Sequence, residues 1–542
     1  MNRFKSIIWL LVLTGVLSTA CTDKFAEYNQ NPNNVTEDDL QMDNIFLGAF
    51  FVKMIQNIFP YGGTGSSSTN AYQNVENLHG DVYGGYHGQT HNWSTSGDGL
   101  TYNFSMGWNG SLFSVLYTGV MGNWKFIKER TENDYPDLFA VAQMIKIYAA
   151  QRTTDSFGPI PYSKAGEGIG SEYDSQSDIY HSFLEELTTA IETLKPYAER
   201  GSSLLQLFDD VYKGNYAQWV KFGNTLKLRI AMRMAYVDAT AAQKAAEEAV
   251  NDSYGVMTEN DANAIIRGVD SSSRTYNNPL GGLTEDYNEA RMSANMESFL
   301  VGYKDPRLSA YFKPATNPDD ITNTQERVPR VYLGLRSGLR ISDAQAKRYV
   351  SYSKLKSDFE IIWMTAAEAY FLRAEGALRK WNMGGTAQSL YEEGIRKSFE
   401  QWRAGDASAY LADETSKPKT YEDEMASAHN IGEGSRLSTI TIKWNEGAGF
   451  EEKLERIITQ KWIAIYPNGQ EAWSEFRRTR YPKLFPVHVN NSGGTINTDI
   501  QIRRVPYPTS EYRTNEENLL KGIKLLGGSD NGGTRLWWDK KP

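Results

Sequence analysis

The sequence predicts a mostly α-helical protein in which tetratricopeptide-like helix pairs form a scaffold for a large, irregular, loop-rich face. Three observations support this fold class. Apolar residues recur every three or four positions through the middle of the chain, which is the period of an amphipathic helix. An alanine-rich segment and an aromatic-rich segment follow each other across a short turn, as in helical repeats. Long stretches rich in glycine, asparagine and aromatic residues interrupt the periodic segments, and loops of that length are usually functional or disordered.

Length and composition exclude several classes of protein. The chain has 542 residues, of which 40% are hydrophobic and 12% aromatic, too many for wholesale disorder. Its 57 basic and 66 acidic residues give a net charge of −9, whereas proteins that bind nucleic acid concentrate Lys and Arg. A single cysteine excludes a disulfide framework, a Cys-based zinc knuckle and a CxxC redox pair. We therefore expect no nucleic acid partner.

The N-terminus is predicted to be a processed export signal. After a short basic start, residues 7–17 are apolar, shorter than the roughly 20 residues of a membrane-spanning helix but typical of a signal peptide. Small residues then lead to Cys21, in a pattern similar to a bacterial lipobox. We predict that residues 1–20 are removed, that Cys21 is acylated, and that residues 21–542 form a single domain on a lipid tether. An ordinary secretory signal with an incidental cysteine is the alternative.

The central part of the chain carries the helical period most clearly. One predicted helix has apolar residues at helical spacing, namely Ile179, Phe183, Leu187, Ile191 and Leu194. Ser177 is placed to cap its start, and Pro196 is where we expect it to end. The same spacing returns further on, at Trp219, Phe222, Leu226 and Ile230.

A helix pair is predicted near the middle of the second half. Residues 361–381 are rich in alanine, so a neighbouring helix can approach them closely. A tight turn at residues 382–385 leads to a second helix with its own apolar period, at Leu390, Tyr391, Gly394, Ile395 and Phe399. No strict repeat of about 34 residues appears, so these are divergent repeats in a larger domain.

Three stretches break the helical pattern: residues 61–110, 268–290 and 482–542. The first contains eight aromatic residues, many asparagines and no Lys or Arg. Aromatic rings stack on the C–H faces of sugars, and amides pair with sugar hydroxyls. An uncharged surface of this kind therefore suits a neutral oligosaccharide. A loop that its own aromatic residues pack onto the helices is the alternative.

Two groups of candidate ligand contacts come from these stretches. The first group is Tyr83, Tyr86, His87, Asn92, Trp93 and Trp108. The second group is Arg274, Tyr276, Asn277 and Asn278, although turn chemistry explains the two asparagines equally well. His87 and His91 have the i, i+4 spacing of a helical zinc site, but the neighbouring glycines disfavour a helix, so we predict no metal site and no cofactor. Without a nucleophile elbow, P-loop, dinucleotide or EF-hand motif, we expect no enzyme; a glycosidase is the catalytic alternative.

A series of motifs runs in order along the chain. They lie at residues 23–25, 31–33, 155–162 (DSFGPIPY), 224–229 (NTLKLR), 305–307 (DPR), 460–464 (QKWIA), 468–473 (NGQEAW), 477–479 (RRT), 503–508 (RRVPYP) and 534–539 (TRLWWD). Together they resemble the SusD/RagB family of outer-membrane nutrient-binding lipoproteins. The resemblance implies four tetratricopeptide-like helix pairs, and a SusC-like TonB-dependent barrel over which the lipoprotein acts as a lid.

The resemblance also divides the aromatic residues by role. It implies that the tryptophans of the shared motifs are scaffold: Trp462, Trp473, Trp537 and Trp538. Ligand choice would then come from the irregular loops. From the resemblance we expect a lipid-anchored outer-membrane protein that faces the cell surface. From the uncharged aromatic stretch we expect it to capture an oligosaccharide, although the family includes both glycan and peptide binders. A peptide ligand is the alternative, and a purely structural lid is a third possibility.

Overall fold

The structure is a computed structural model that describes residues 45–61, 66–88, 99–165, 170–267, 277–315, 332–339, 350–424 and 426–541. Contacts divide the chain into two units, residues 1–49 and residues 50–542. Helices dominate the second unit, and its strands are two to four residues long.

The helices in chain order are α1 (Ile45–Gln56), α2 (Ser66–Tyr72), α3 (Met106–Ser114), α4 (Gly122–Thr131), α5 (Pro136–Phe157), α6 (Gln176–Glu199), α7 (Tyr216–Met234), α8 (Ala239–Val250), α9 (Pro279–Glu285), α10 (Ala294–Met296), α11 (Leu308–Tyr311), α12 (Ala366–Leu378), α13 (Ala387–Gln401), α14 (Ser408–Leu411), α15 (Phe450–Ala464), α16 (Gly469–Thr479), α17 (Thr509–Thr514) and α18 (Glu516–Leu526). The π-helical segments Gln73–Asp81, Val115–Met121 and Glu297–Val301 continue α2, α3 and α10. The strands are β1 (His87–Gly88), β2 (Ala264–Ile266), β3 (Arg291–Met292), β4 (Phe312–Lys313), β5 (Tyr352–Ser353) and β6 (Ile361–Met364). None of these described helices is both long and apolar enough to cross a membrane.

Helices α5 to α8 pack against one another in chain order. The apolar stripe predicted for α6 is buried along its length. Its N-cap is Ser175 rather than Ser177, and the Ser175 hydroxyl accepts the backbone N–H of Asp178 at 3.1 Å. The helix also continues through Pro196 to Glu199, because a proline in the last turn removes only one hydrogen bond while the preceding turns stay packed.

The alanine-rich segment 361–381 is two elements, not one helix. Its first four residues are β6, which pairs antiparallel with β2, because β-branched residues favour a strand. Helix α12 begins after Thr365, whose hydroxyl caps it. The predicted helix pair is confirmed: α12 packs on α13, and a Cβ at Gly394 would lie 2.9 Å from the ring of Phe371.

Parts of all three irregular stretches are also helical, which corrects the prediction of continuous loops. Helix α2 and its π-helical continuation lie in residues 61–110, α9 lies in 268–290, and α17 and α18 lie in 482–542. The π-helical segment docks directly on α16. A Cβ at Gly80 would lie 2.6 Å from the backbone nitrogen of Gln470, and one at Gly469 would lie 2.3 Å from the Cα of Asp81.

An ionic network holds the helix pairs together inside the scaffold. Arg229 of α7 donates to both carboxylate oxygens of Glu368 of α12 at 2.8 and 2.7 Å. Glu475 of α16 accepts from Arg233 at 2.5 Å and from Arg478 at 2.7 Å. All of these side chains are buried, and buried charges are tolerated when they are paired and hydrogen-bonded.

The protonation of the network follows from this pairing. Burial alone would raise the pKa of Glu475, yet Arg478, Lys461 and Arg233 hold that pKa well below its usual range. The same competition lowers the pKa of Glu471. Glu471 and Glu475 therefore remain ionised inside the scaffold.

Candidate functional site

A small four-stranded sheet contains His87, one of the predicted ligand contacts, in its first strand. Its strand order is β1–β3–β5–β4, and every pair is antiparallel. Strand β1 leads into residues 89–98, β4 leads toward residues 316–331, and β5 follows residues 340–349; these three segments lie outside the described residues. The sheet is thus the described structure next to which these three segments begin or end in sequence.

One face of the sheet belongs to the core. Because side chains alternate along a strand, His87, Met292, Phe312 and Ser353 share that face, and all four are buried. The His87 ring lies 3.0 Å from the Asn77 amide nitrogen and 3.3 Å from the Tyr466 hydroxyl. This face attaches the sheet to the scaffold.

The other face carries a cross-strand row of Arg291, Tyr352 and Lys313. Arg291 pairs with Tyr352 and Tyr352 with Lys313 in the register. The guanidinium carbon of Arg291 and the ammonium of Lys313 each lie 5.1 Å from the centre of the Tyr352 ring. This distance is within the range of a cation–π contact.

The members of the cross-strand row differ in exposure. Tyr352 and Lys313 are half-buried, while Arg291 is buried and donates to the Val350 carbonyl at 2.8 Å. Burial lowers the pKa of Arg291 to about 10, so it remains charged at neutral pH. The row offers one aromatic ring, one accessible ammonium and a fixed positive charge beneath them.

Two of the predicted ligand contacts, Tyr83 and Tyr86, pack against the scaffold. Both rings are buried. Tyr83 lies 5.2 Å from the Trp473 ring centre, and the Tyr86 hydroxyl donates to the Trp462 carbonyl at 2.6 Å. Contact with a ligand is not compatible with this burial, and the alternative of a segment packed by its own aromatic residues describes both tyrosines.

His87 is also placed in the core rather than at a surface. It lies in a strand and is 1% exposed, so it is not available to a ligand in this arrangement. In the described part of the chain, no group of three or more His, Cys, Asp or Glu side chains is arranged to hold a metal ion. His91 lies outside the described residues.

The remaining predicted contacts are dispersed. Trp108 is half-buried on α3, and Asn277 is exposed. Asn278 is buried and caps α9, because its side-chain oxygen accepts the Leu280 N–H at 3.0 Å. This contact agrees with the alternative that turn chemistry, and not ligand contact, explains this asparagine. The others lie outside the described residues, as does the predicted lipid attachment site: Asn92, Trp93, Arg274, Tyr276 and Cys21.

Sequence reasoning missed the cross-strand row. A second missed contact joins the segment after α9 to α2, where the Tyr287 hydroxyl donates to the Asn70 amide oxygen at 2.9 Å. The one available signal was the alternation of residues 350–353 (VSYS). That run is too short to distinguish a strand from a loop.

The comparisons with known proteins identify the family. Residues 27–539 match the SusD-like family, described as "Susd and RagB outer membrane lipoprotein". This chain belongs to the SusD-like family. No curated protein matches the chain.

Solved structures of SusD homologues are similar over nearly their whole length. A chitin-binding SusD homologue from Flavobacterium johnsoniae is 39% identical, with 92% of this chain and 99% of that chain covered and a TM-score of 0.85. A SusD homologue from Bacteroides uniformis is 39% identical, with 91% and 99% covered and a TM-score of 0.80. One from Bacteroides vulgatus is 35% identical, with 93% and 99% covered and a TM-score of 0.83. The predicted fold, mostly helical with tetratricopeptide-like character, is confirmed.

Family motifs that are far apart in sequence bond to each other inside this SusD-like protein. Trp538 donates to Asp155 at 2.9 Å, and Arg503 donates to Asp539 at 2.7 Å. Trp462, Trp473 and Trp538 are almost completely buried, while Trp537 is half-buried. These contacts assign the shared motifs to the scaffold.

Proposed function

We propose that this SusD-like protein is a lipoprotein of the outer membrane, anchored through Cys21 and facing the cell surface, that captures oligosaccharides. It hands them to a SusC-like TonB-dependent transporter without changing them chemically. The observation that carries the proposal is the similarity over 92% of the chain to a chitin-binding SusD homologue. The proposal takes from that homologue only the class of ligand, a glycan, and it does not assign chitin itself to this protein.

The face of the sheet that carries the cross-strand row is the glycan-binding face that we propose. Residues 89–98, which include Asn92 and Trp93, begin directly after β1, the edge strand that pairs with β3 and its Arg291. Exposed rings stack on sugar C–H faces, and amides or ammonium groups donate to sugar hydroxyls. We propose Asn92, Trp93 and the half-buried Tyr352 as ligand contacts.

The other candidates are retained as proposed contacts, namely Trp108, Arg274, Tyr276 and Asn277. We propose that Tyr83, Tyr86, His87 and Asn278 act instead in support of the fold. The Tyr83 hydroxyl donates to the Gly99 carbonyl at 3.3 Å, and the other three residues make the contacts described above. The site is therefore smaller than the aromatic content of residues 61–110 suggested.

A peptide is the second candidate ligand. The observation that favours it is the positive charge of Arg291 and Lys313 beside one ring, which suits a carboxylate as well as a hydroxyl. A neutral sugar does not need that charge.

Titration calorimetry on the mature chain tests the proposed function. Chitin, cello- and malto-oligosaccharides and a panel of peptides serve as probes. We expect saturable heat with at least one oligosaccharide and unchanged oligosaccharides by chromatography after incubation. Tight binding of peptides without any response to sugars would overturn the glycan assignment, and shortened products would overturn the absence of catalysis.

A further inference from the structure

A cavity lies among helices α4, α5 and α6 of the scaffold. Its volume is about 590 Å³, within the range of roughly 300–1,000 Å³ typical of small-molecule sites. None of its lining residues belongs to the four-stranded sheet or to the proposed contacts. Three aromatic side chains form part of its wall: Trp124, Phe139 and Tyr162.

The floor of the cavity is a fixed carboxylate. Glu186 accepts hydrogen bonds from the Gln143 amide and the Tyr162 hydroxyl, and the Lys146 ammonium lies 3.0 Å away. All three contacts reach the same oxygen, Oε2, and all three partner side chains are at least nine-tenths buried. Glu186 itself is 32% exposed, so its Oε1 is the oxygen that this cluster leaves for a donor in the cavity.

The aromatic wall is positioned by the same cluster. The Trp124 indole N–H donates to the side-chain amide oxygen of Gln143 at 2.9 Å, and the Gln143 amide nitrogen in turn donates to Glu186. The Trp124 and Phe139 ring centres are 6.2 Å apart. The Trp124 ring and the Glu186 carboxylate are therefore linked through the buried Gln143 side chain, and the site is preformed without a ligand.

The charges around the cavity disfavour an ionic ligand. The lining holds two ammonium groups, Lys128 and Lys146, against three carboxylates, Glu132, Glu185 and Glu186, so an anion finds no excess of positive charge. The Trp124 ring already has Lys146 at 4.3 Å and Lys128 at 5.5 Å. A ligand cation would have to compete with both for the same ring.

A neutral polyhydroxylated ring fits what remains. Hydroxyl groups line the cavity at Ser163, Thr189 and Thr193, and a carboxylate oxygen is a strong acceptor for a sugar hydroxyl. The Phe139 ring offers a flat apolar surface for sugar C–H groups, and a sugar on the Trp124 ring would share that ring with Lys146 and Lys128. Aromatic walls with a few placed polar groups are the usual design of a small-molecule site.

We infer that the cavity between α4, α5 and α6 is a second carbohydrate site, which holds the end of a neutral oligosaccharide on the scaffold. This inference rests on the proposed function for its ligand class, and it adds a location on helices rather than on the sheet. A glycan bound at one site can then be held by the other while it is passed on, since two linked sites raise the overall affinity.

Three variants of the mature chain test the inference with the pentamer of N-acetylglucosamine and with maltohexaose as probes. Thr189→Trp fills the cavity from an exposed position on α6, so it does not depend on core packing. Trp124→Ala removes the wall. Trp537→Ala is the matched control, because Trp537 is another half-buried tryptophan of the scaffold and does not line the cavity.

In calorimetry we expect two sites in the unmodified chain for at least one probe. Thr189→Trp and Trp124→Ala should each remove one site, and Trp537→Ala should keep both. Hydrogen exchange should locate the lost site, because the probe should slow exchange in residues 122–131 and 176–199 of the unmodified chain but not of Thr189→Trp.

The failures of the two proposals differ in this experiment. A single site that persists unchanged in Thr189→Trp and Trp124→Ala overturns the scaffold site and keeps the proposed function. Absence of binding by the unmodified chain with every oligosaccharide overturns both.

Discussion

The scaffold and the sheet use positive charge in opposite ways. In the scaffold each buried arginine of the network faces a carboxylate, as Arg229 faces Glu368 and Arg478 faces Glu375. In the cross-strand row, by contrast, no carboxylate of the described residues pairs with Arg291 or Lys313, and their neighbour is the Tyr352 ring. Paired charge in the scaffold is satisfied within the fold, whereas the half-buried Lys313 beside the Tyr352 ring is the charge that we propose to act on a ligand.

The largest expected effect comes from breaking the ionic network. Glu475→Ala removes the carboxylate shared by Arg233 and Arg478, and it leaves buried positive charge without a partner. We expect a loss of about 3–5 kcal/mol in the free energy of unfolding, measured by denaturant titration. Glu517→Ala, which breaks a surface pair with Lys521, is the control and should change nothing measurable. Equal stability of the two variants would show that the network does not hold the scaffold.

The second largest effect is a pH dependence of the free energy of unfolding, which we expect from His79 in the π-helical segment Gln73–Asp81. Burial lowers the pKa of His79 to about 4, so this histidine is neutral in the folded protein. Between pH 6.5 and 4 the unfolded chain binds a proton at His79 that the folded protein does not, and stability therefore falls as the pH falls through that window. At pH 4 the free energy of unfolding should be lower by about 3 kcal/mol because of this one histidine.

Unfolding titrations of the unmodified chain and of His79→Gln between pH 4 and 7 measure this contribution. The variant should have a flatter dependence, since glutamine does not titrate. Identical slopes for both proteins would exclude His79 as the source.

The sequence allows the helical scaffold to be predicted because its signals are local. The stripe of α6 and the turn before α13 are each contained in a short window, and both are found as expected. The strands of the sheet are two residues long and pair across intervals such as Gly88 to Arg291. No local pattern can indicate such pairs.

The candidate site was predicted less well for a related reason. Aromatic content indicates that residues 61–110 are packed or bind a ligand, but it does not tell which side chain does which. Tyr86 is buried because its hydroxyl meets the carbonyl of Trp462, 376 positions later. Burial of that kind depends on partners that only the folded chain brings together.

A medium effect is expected at the proposed binding face. Trp93→Ala removes a stacking ring, and a stacking contact contributes roughly 0.5–1.5 kcal/mol, so the affinity for the best oligosaccharide should fall up to about tenfold. Because we propose a ligand contact and not a packing role for Trp93, the melting temperature should not change. Calorimetry and thermal unfolding on one preparation measure both quantities. A lower melting temperature with unchanged affinity would reverse the assignment.

The smallest expected effect compares two tyrosines that differ in burial. Tyr352→Leu should weaken oligosaccharide binding about threefold, because the half-buried ring leaves the cross-strand row while the strand keeps an apolar residue. Tyr86→Phe should instead leave the affinity unchanged and cost about 1 kcal/mol of stability, since it removes one buried hydrogen bond and leaves the Trp462 carbonyl without its donor. Calorimetry and denaturant titration of both variants test the distinction between a binding surface and its support. If Tyr86→Phe weakens binding and Tyr352→Leu does not, the ligand lies on the opposite side of the sheet from the one proposed.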